Sequence, residues 1–145
     1  MKELTVEASK DKLNEVLEFV NTELENNNCP PELRNHIEGA VDEIFANIAE
    51  YSYHPTSGKV TIGVAAGEEI LIRFMDSGKP YNPLEAKEPD LSKPAMEREL
   101  GGLGIFLVKK FMDTVDYARL QNKNILTITK TINSEKSLPF HEISE

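Results

Sequence analysis

Three short segments of this chain hold residues whose types and spacing suit the handling of a charged ligand. In Glu43-Ile44-Phe45-Ala46-Asn47 a carboxylate and an amide stand four residues apart, so a helix sets them on one face, one turn from each other and away from its apolar stripe. Such a pair can bind a hard cation and its waters, or accept a proton; read alone, it also fits a solvated helix face. In Phe74-Met75-Asp76-Ser77-Gly78-Lys79-Pro80 a strand ends in Asp-x-Gly-x-Pro. Gly78 permits a tight turn, and Asp76 can accept a hydrogen bond from an exocyclic amine such as that of adenine, although Asp and Gly are also ordinary turn residues. In Gly101-Gly102-Leu103-Gly104-Ile105 a glycine cluster feeds straight into a helix. There backbone N–H groups and the positive end of the helix suit a phosphate, and a plain hinge before a helix has the same composition.

The glycine cluster is not a Walker A loop, since no Lys-Ser or Lys-Thr pair follows it, and it lacks the strand and spacing of a dinucleotide fingerprint. Other chemistries find little support. His36, His54 and His141 are scattered and are expected at the surface. Ser52, Ser57 and Ser77 lack the context of a nucleophile elbow, and Met75, Met96 and Met112 read as packing residues.

The elements that must position these segments follow from periodicity. Residues 3 to 8 alternate as a short strand. Ser9 can cap a helix carrying Leu13, Val16, Leu17, Val20 and Leu24, which Asn26-Asn27-Asn28 ends. Pro30 and Pro31 open a second helix, with Leu33, Ile37, Val41, Ile44, Phe45 and Ile48 buried, running to about Tyr53 before His54-Pro55. Lys59 to Val64 and Glu69 to Met75 read as a hairpin across Ala66-Gly67. From Gly78 to Gly104 four prolines interrupt any pattern, and so long an irregular interval is expected to be a ligand cover. A third helix opens at Gly104, and strands Thr114 to Leu120 and Asn124 to Ile132 follow. The expected fold class is α+β: a two-layer sandwich with a mixed, mostly antiparallel sheet and three helices on one face. Residues 1–132 form one domain, and residues 133–145 a weakly ordered tail.

Composition narrows the partners. The 145 residues, 39% of them hydrophobic, are enough for one core without metals or disulfides. A net charge of -9, spread along the chain, disfavours nucleic acid or an anionic membrane as partner. Cys29 is the single cysteine and fits a reducing compartment. No apolar run has the length of a signal peptide or of a bilayer span, so a cytoplasmic protein is expected.

In order and spacing the three segments resemble the N, G1 and G2 boxes of the GHKL superfamily, whose Bergerat fold binds ATP. The resemblance covers residues 1 to 132. The small size, and the run Gly102-Leu103-Gly104-Ile105-Phe106-Leu107-Val108-Lys109-Lys110-Phe111-Met112-Asp113, is similar to the bacterial anti-sigma-factor serine/threonine kinases. The resemblance implies Asn47 as the Mg²⁺ ligand, Glu43 as general base on an attacking hydroxyl, and Asp76 as the reader of adenine. It implies that Gly78 shapes the base pocket, while Gly101, Gly102, Leu103 and Gly104 border the phosphates, and Thr127 stands where the family carries a hydroxyl near the base.

The chain departs from the family at Tyr51, where a basic residue is common, at Leu100, where an Arg often precedes the glycines (here Arg98), and at Leu126 in the last strand. The implied activity is ATP-dependent phosphorylation of a serine on an anti-anti-sigma (STAS-type) protein, by a homodimer that also holds a sigma factor. The departures motivate a second reading, a nucleotide-gated binding module with little turnover. A third, the catalytic half of a histidine kinase, lacks the phospho-accepting helical domain.

Overall fold

The computed structural model describes residues 1–53, 55–85 and 102–132. The chain runs β1 (Lys2–Glu7), α1 (Leu13–Asn26), α2 (Pro31–Asn47), β2 (Lys59–Ala65), β3 (Glu69–Asp76), α3 (Gly102–Phe111), β4 (Thr114–Leu120) and β5 (Lys123–Thr131). Each boundary has a local cause. Ser9 stands before a 3₁₀ turn, Lys10–Lys12, and α1 starts only after it; the Ser9 hydroxyl bonds Asp11 rather than a helix N–H. Asn28, at φ 60°, turns the chain out of α1 in the left-handed region that Asn tolerates. Pro31 occupies the first turn of α2, where its missing N–H costs nothing. Gln121 and Asn122, at φ 51° and 63°, make the tight hairpin between β4 and β5.

The α+β sandwich matches expectation: three helices and one five-stranded sheet, in the order β1-β2-β3-β5-β4. The sheet, expected to be mixed, is antiparallel in all four of its pairings. Two helices separate β1 from β2, so the chain returns reversed. The crossover through α3 leaves β3 and β4 pointing the same way, but β5 inserts between them and removes the parallel pair.

One face of the sheet meets the helices. Val60, Ile62 and Val64 of β2, Ile70, Ile72 and Phe74 of β3, and Leu126 and Ile128 of β5 are buried against Val16 and Val20 of α1, Ile37, Val41 and Phe45 of α2, and Ile105 and Val108 of α3. Removing this apolar surface from water is the main stabilising term, at roughly 25 cal/mol per Å². No described helix is long and apolar enough to cross a membrane.

The second helix was expected to reach Tyr53 as a regular α-helix. It keeps α geometry only to Asn47 and continues as a π-turn through Ile48–Ser52. Wider turns of this kind concentrate at functional sites because they reset which side chain faces a given direction. Here the change falls immediately after Asn47, and Ser52 is carried onto the end of β3.

Candidate functional site

Asp76 ends β3 on the helix-facing side of the sheet and is 3% exposed. Its Oδ1 accepts the Gly78 N–H at 2.9 Å and the Asn124 side-chain amide at 3.0 Å, while Oδ2 accepts the Ser52 hydroxyl at 3.5 Å. Burial pushes its carboxyl above the ordinary range; Asn124, Gly78, Arg119 and Ser52 act in the opposite sense without cancelling that effect. Gly78 is required by proximity: a Cβ there would lie 2.8 Å from the Ser52 carbonyl carbon and closer still to its oxygen. The turn is closed by the Lys79 N–H donating to Ser52 O at 3.0 Å and by Arg119 donating to Gly78 O at 2.8 Å.

A recess stands over Asp76, bounded by Ile48, Phe74, Tyr81, Tyr117, Asn124 and Leu126, with about 10 Å³ of free space. That is room for one water, not for a heterocycle. Tyr81 is one of its walls. The Tyr81 N–H donates to Asn124 Oδ1 at 3.1 Å and its ring tilts against Tyr51, centroids 5.2 Å apart. Burial, then the neighbouring Tyr51 and Glu43, push the Tyr81 hydroxyl up to about 12, so it stays protonated at any working pH.

Across from this recess, α2 presents the carboxylate and the amide. Asn47 is buried and donates its Nδ2 to Glu43 Oε2 at 2.7 Å. This bond fixes the amide orientation: among the described residues Oδ1 has no hydrogen-bond partner and could accept one. The carboxylate is not on a bare helix face, because Gly104 of α3 packs against it. A groove of ≈ 300 Å³ between α2 and α3 is lined by Glu43, Gly104, Gly39, Ala40, Leu107 and Phe111, among others.

Of the residues singled out by sequence, Glu43, Asn47 and Gly104 form one contact set, and Asp76 with Gly78 forms another. Tyr81 links them: it lines the Asp76 recess, lies close enough to Glu43 to sense its charge, and packs its ring against Tyr51. Gly102 and Leu103 lie in the first turn of α3, two residues earlier than the expected start. Gly101, Leu100, Arg98 and Met96 lie outside the described residues, as do His54, His141 and the expected tail.

Thr127 does not join the site. It pairs with Arg73 and Asp116, and because successive strand residues alternate faces, it points to the side of the sheet opposite Asp76 and Leu126. Leu126, noted as a departure, is a buried wall of the recess. His36, expected at the surface, is half-buried and stacks on Phe111 at 4.6 Å, because α2 packs on α3 there.

Asn124 is the residue that sequence reasoning missed. It sits opposite Asp76 in the β3–β5 register and spends both amide hydrogens on Asp76 and on Lys79 O, while its oxygen accepts from Tyr117 and Tyr81. The signal was present: Asn124, Leu126, Ile128 and Lys130 are the inward set of β5, and an inward-facing amide demands partners.

Among the described residues no group of three or more His, Cys, Asp or Glu side chains could hold a metal ion. A cation here would be held by Asn47 together with the ligand's own oxygens, the usual arrangement for Mg²⁺ at phosphates.

Solved structures share this architecture. The histidine kinase domain of the blue-light activated histidine kinase from Erythrobacter litoralis EL346 matches with TM-score 0.56 and 17% identity, covering 88% of this chain and 62% of that one. The histidine kinase AdeS of Acinetobacter baumannii matches with TM-score 0.51 and 20% identity, covering 92% and 70%. The fold is thus the one carried by histidine kinase catalytic domains. Residues 6–130 match the model of the histidine kinase-like ATPase domain, and the chain belongs to that family.

Its curated relatives include an anti-sigma F factor of a Thermoanaerobacter species (strain X514), 30% identical over 102 residues, 69% of this chain and 71% of that protein. The serine/threonine-protein kinase BtrW of Bordetella bronchiseptica is 30% identical over 91 residues, 61% of this chain and 63% of BtrW. The serine-protein kinase RsbW of Bacillus mycoides is 28% identical over 102 residues, 67% of this chain and 63% of RsbW. The match thus spans less than two thirds of two of these relatives.

Proposed function

We propose that this chain is a cytoplasmic anti-sigma factor with ATP-dependent serine/threonine protein kinase activity, acting on a serine of an anti-anti-sigma (STAS-type) protein in a partner switch. The observation that carries the reading is the Glu43–Asn47 pair, locked by a 2.7 Å hydrogen bond and packed against the glycine-opened start of α3. The names of the relatives, serine kinase and anti-sigma factor, point the same way.

In this reading ATP is the substrate, its adenine amine directed to Asp76 once Tyr81 has swung from the recess. The acceptor serine oxygen bonds to the γ-phosphorus while the bond to the β–γ bridging oxygen breaks. ADP departs, and the hydroxyl proton passes to Glu43. Bound at Asn47 Oδ1, Mg²⁺ would neutralise phosphate charge; the backbone at Gly101, Gly102, Leu103 and Gly104 would face the phosphates. A homodimer is the expected assembly.

The test is transfer of label from [γ-³²P]ATP to STAS-domain proteins of the same organism. Wild type should label one of them, and Glu43→Ala should lose labelling while still binding ADP. The second reading, a nucleotide-gated binding module with little turnover, draws on Tyr51 in place of a basic residue and on the filled recess. A Glu43→Ala variant whose partner response to nucleotide equals wild type, with no labelling by either, would establish that module and dismiss the kinase.

A further inference from the structure

Gly104 is the third residue of α3, and a glycine inside a helix costs about 1 kcal/mol against alanine. Its position needs a reason beyond loop flexibility, because the helix has already begun. The reason lies across the α2–α3 contact. A Cβ at Gly104 would come 2.7 Å from Glu43 Cγ, and closer still to the carboxyl carbon and Oε1. By contrast, a Cβ at Gly39, on the same groove, would meet nothing within 4 Å. The space that Gly104 leaves is therefore filled by one specific group, the Glu43 carboxylate.

That carboxylate is gripped from two sides. Asn47 donates to Oε2 at 2.7 Å, and the bare Cα of Gly104 bounds the Oε1 side. The two contacts are linked: with Oε2 bonded to Nδ2, the amide of Asn47 has its oxygen turned away from Glu43. Moving the carboxylate would break this bond and release the amide to rotate. The atoms that must yield are the far end of a flexible side chain rather than backbone, so a methyl group at position 104 displaces Glu43 and leaves the fold standing.

We propose that Gly104 is a positioning residue for Glu43, its missing side chain holding the carboxylate against Asn47 and thereby setting which atom Asn47 offers to a ligand. This rests on reading Glu43 as the base. It assigns Gly104 a role separate from any contact of its backbone with phosphate.

The experiment is Gly104→Ala, alone and combined with Glu43→Ala, read by two measurements. The first is the side-chain amide signal of Asn47 in ¹H–¹⁵N NMR spectra without nucleotide. Gly104→Ala should shift it to where Glu43→Ala puts it, with the thermal midpoint at or above wild type. The second is phosphoryl transfer to the STAS acceptor. Gly104→Ala should lower it about 100-fold, a typical loss when a general base is misplaced. It should cost nothing further in the Glu43→Ala background, where no carboxylate is left to displace.

An unmoved Asn47 signal, or an equal extra loss of transfer in the Glu43→Ala background, would overturn the assignment in favour of a direct phosphate role for Gly104. If the signal moves but wild type labels no acceptor, the kinase reading fails and the placement of Glu43 by Gly104 stands.

Discussion

The Asp76→Asn substitution tests the base-recognition half of the site with almost no change in shape. An asparagine can keep its oxygen toward the Gly78 N–H and the Asn124 amide, the two bonds of 2.9 and 3.0 Å. Its NH₂ group then faces Ser52, whose hydroxyl can turn to accept. The buried carboxylate's desolvation cost disappears at the same time. Folding stability should therefore stay within about 1 kcal/mol of wild type or rise, by urea denaturation. Nucleotide binding should not survive so well. A carboxylate accepting from an exocyclic amine makes a charge-assisted hydrogen bond worth about 1.5–3 kcal/mol, and its loss weakens ADP binding by roughly 10- to 150-fold. Titration calorimetry with ADP reads this directly. Equal ADP affinity in a folded Asp76→Asn variant would refute the assignment of Asp76 to the base, and a variant that fails to fold would refute the bond-by-bond accounting.

The same carboxylate has a pH signature. Burial raises its folded pKa above the unfolded value, so the native state holds a proton that the unfolded chain has already released. The favourable contribution of Asp76 to stability is fully present below the unfolded pKa and is lost as pH rises through the raised folded value. Across that window wild type should lose stability relative to Asp76→Asn. ADP affinity should move the other way: it should fall as pH drops through the raised value, earlier than an ordinary carboxylate would dictate, and the pH dependence should flatten in Asp76→Asn. Parallel stability–pH curves for the two proteins would show that Asp76 titrates normally.

Three further substitutions probe the frame. Lys130 is fully buried on β5, donating to Phe111 O at 2.9 Å and to Asp113 Oδ1 at 3.4 Å, with its ammonium 4.7 Å from the centre of the Phe111 ring. Lys130→Met removes that grip on the end of α3 and should cost about 1–3 kcal/mol in urea melts; unchanged stability would mean that apolar packing alone holds the helix. Gly39 is exposed in the interior of α2 with open space around it, so Gly39→Ala should gain about 1 kcal/mol and raise the thermal midpoint by a few degrees, and a lower midpoint would show that the groove there is tighter than its geometry. Tyr81→Ala removes one wall of the recess over Asp76, and ADP association in stopped-flow should quicken by about tenfold, since fewer molecules need to open first; an unchanged rate would show that the ring is no barrier.

The helices, the strands, the first hairpin and the layer arrangement were legible because they follow from period alone. Val16, Val20 and Leu24, or Ile70, Ile72 and Phe74, recur at spacings that only one secondary structure buries. Glu43 with Asn47 was legible for the same reason, since spacing by four fixes a shared face before any tertiary contact exists. What covers that face was not legible: the packing of α3 on α2 is a long-range event, and nothing local in Gly102-Leu103-Gly104 says that Glu43 will fill the gap at the last glycine. The π-turn after Asn47 escaped as well: it brings Ser52 to Asp76, 24 residues away in sequence, a contact that no local pattern announces.

The misplacement of Thr127 and the omission of Asn124 have a common root in strand parity. Leu126 and Ile128 are apolar and face the helices, so Thr127 between them must face the other side, and no shift short of one residue changes this. The same parity sends Asn124 inward, opposite Asp76, where an amide offers two donors and two acceptors. All four are used: one hydrogen goes to the carboxylate, one to the Lys79 carbonyl, and the oxygen receives Tyr117 and Tyr81. Asn124 thus ties the end of β3 to the segment that carries Tyr81, one wall of the recess. An aspartate there would set a second carboxylate against Asp76, and a leucine would leave the Lys79 carbonyl, the Tyr81 N–H and one bond to Asp76 unmet. The asparagine is the residue that lets a buried carboxylate remain an acceptor toward the recess, which is the property that the proposed reading of an amine by Asp76 requires.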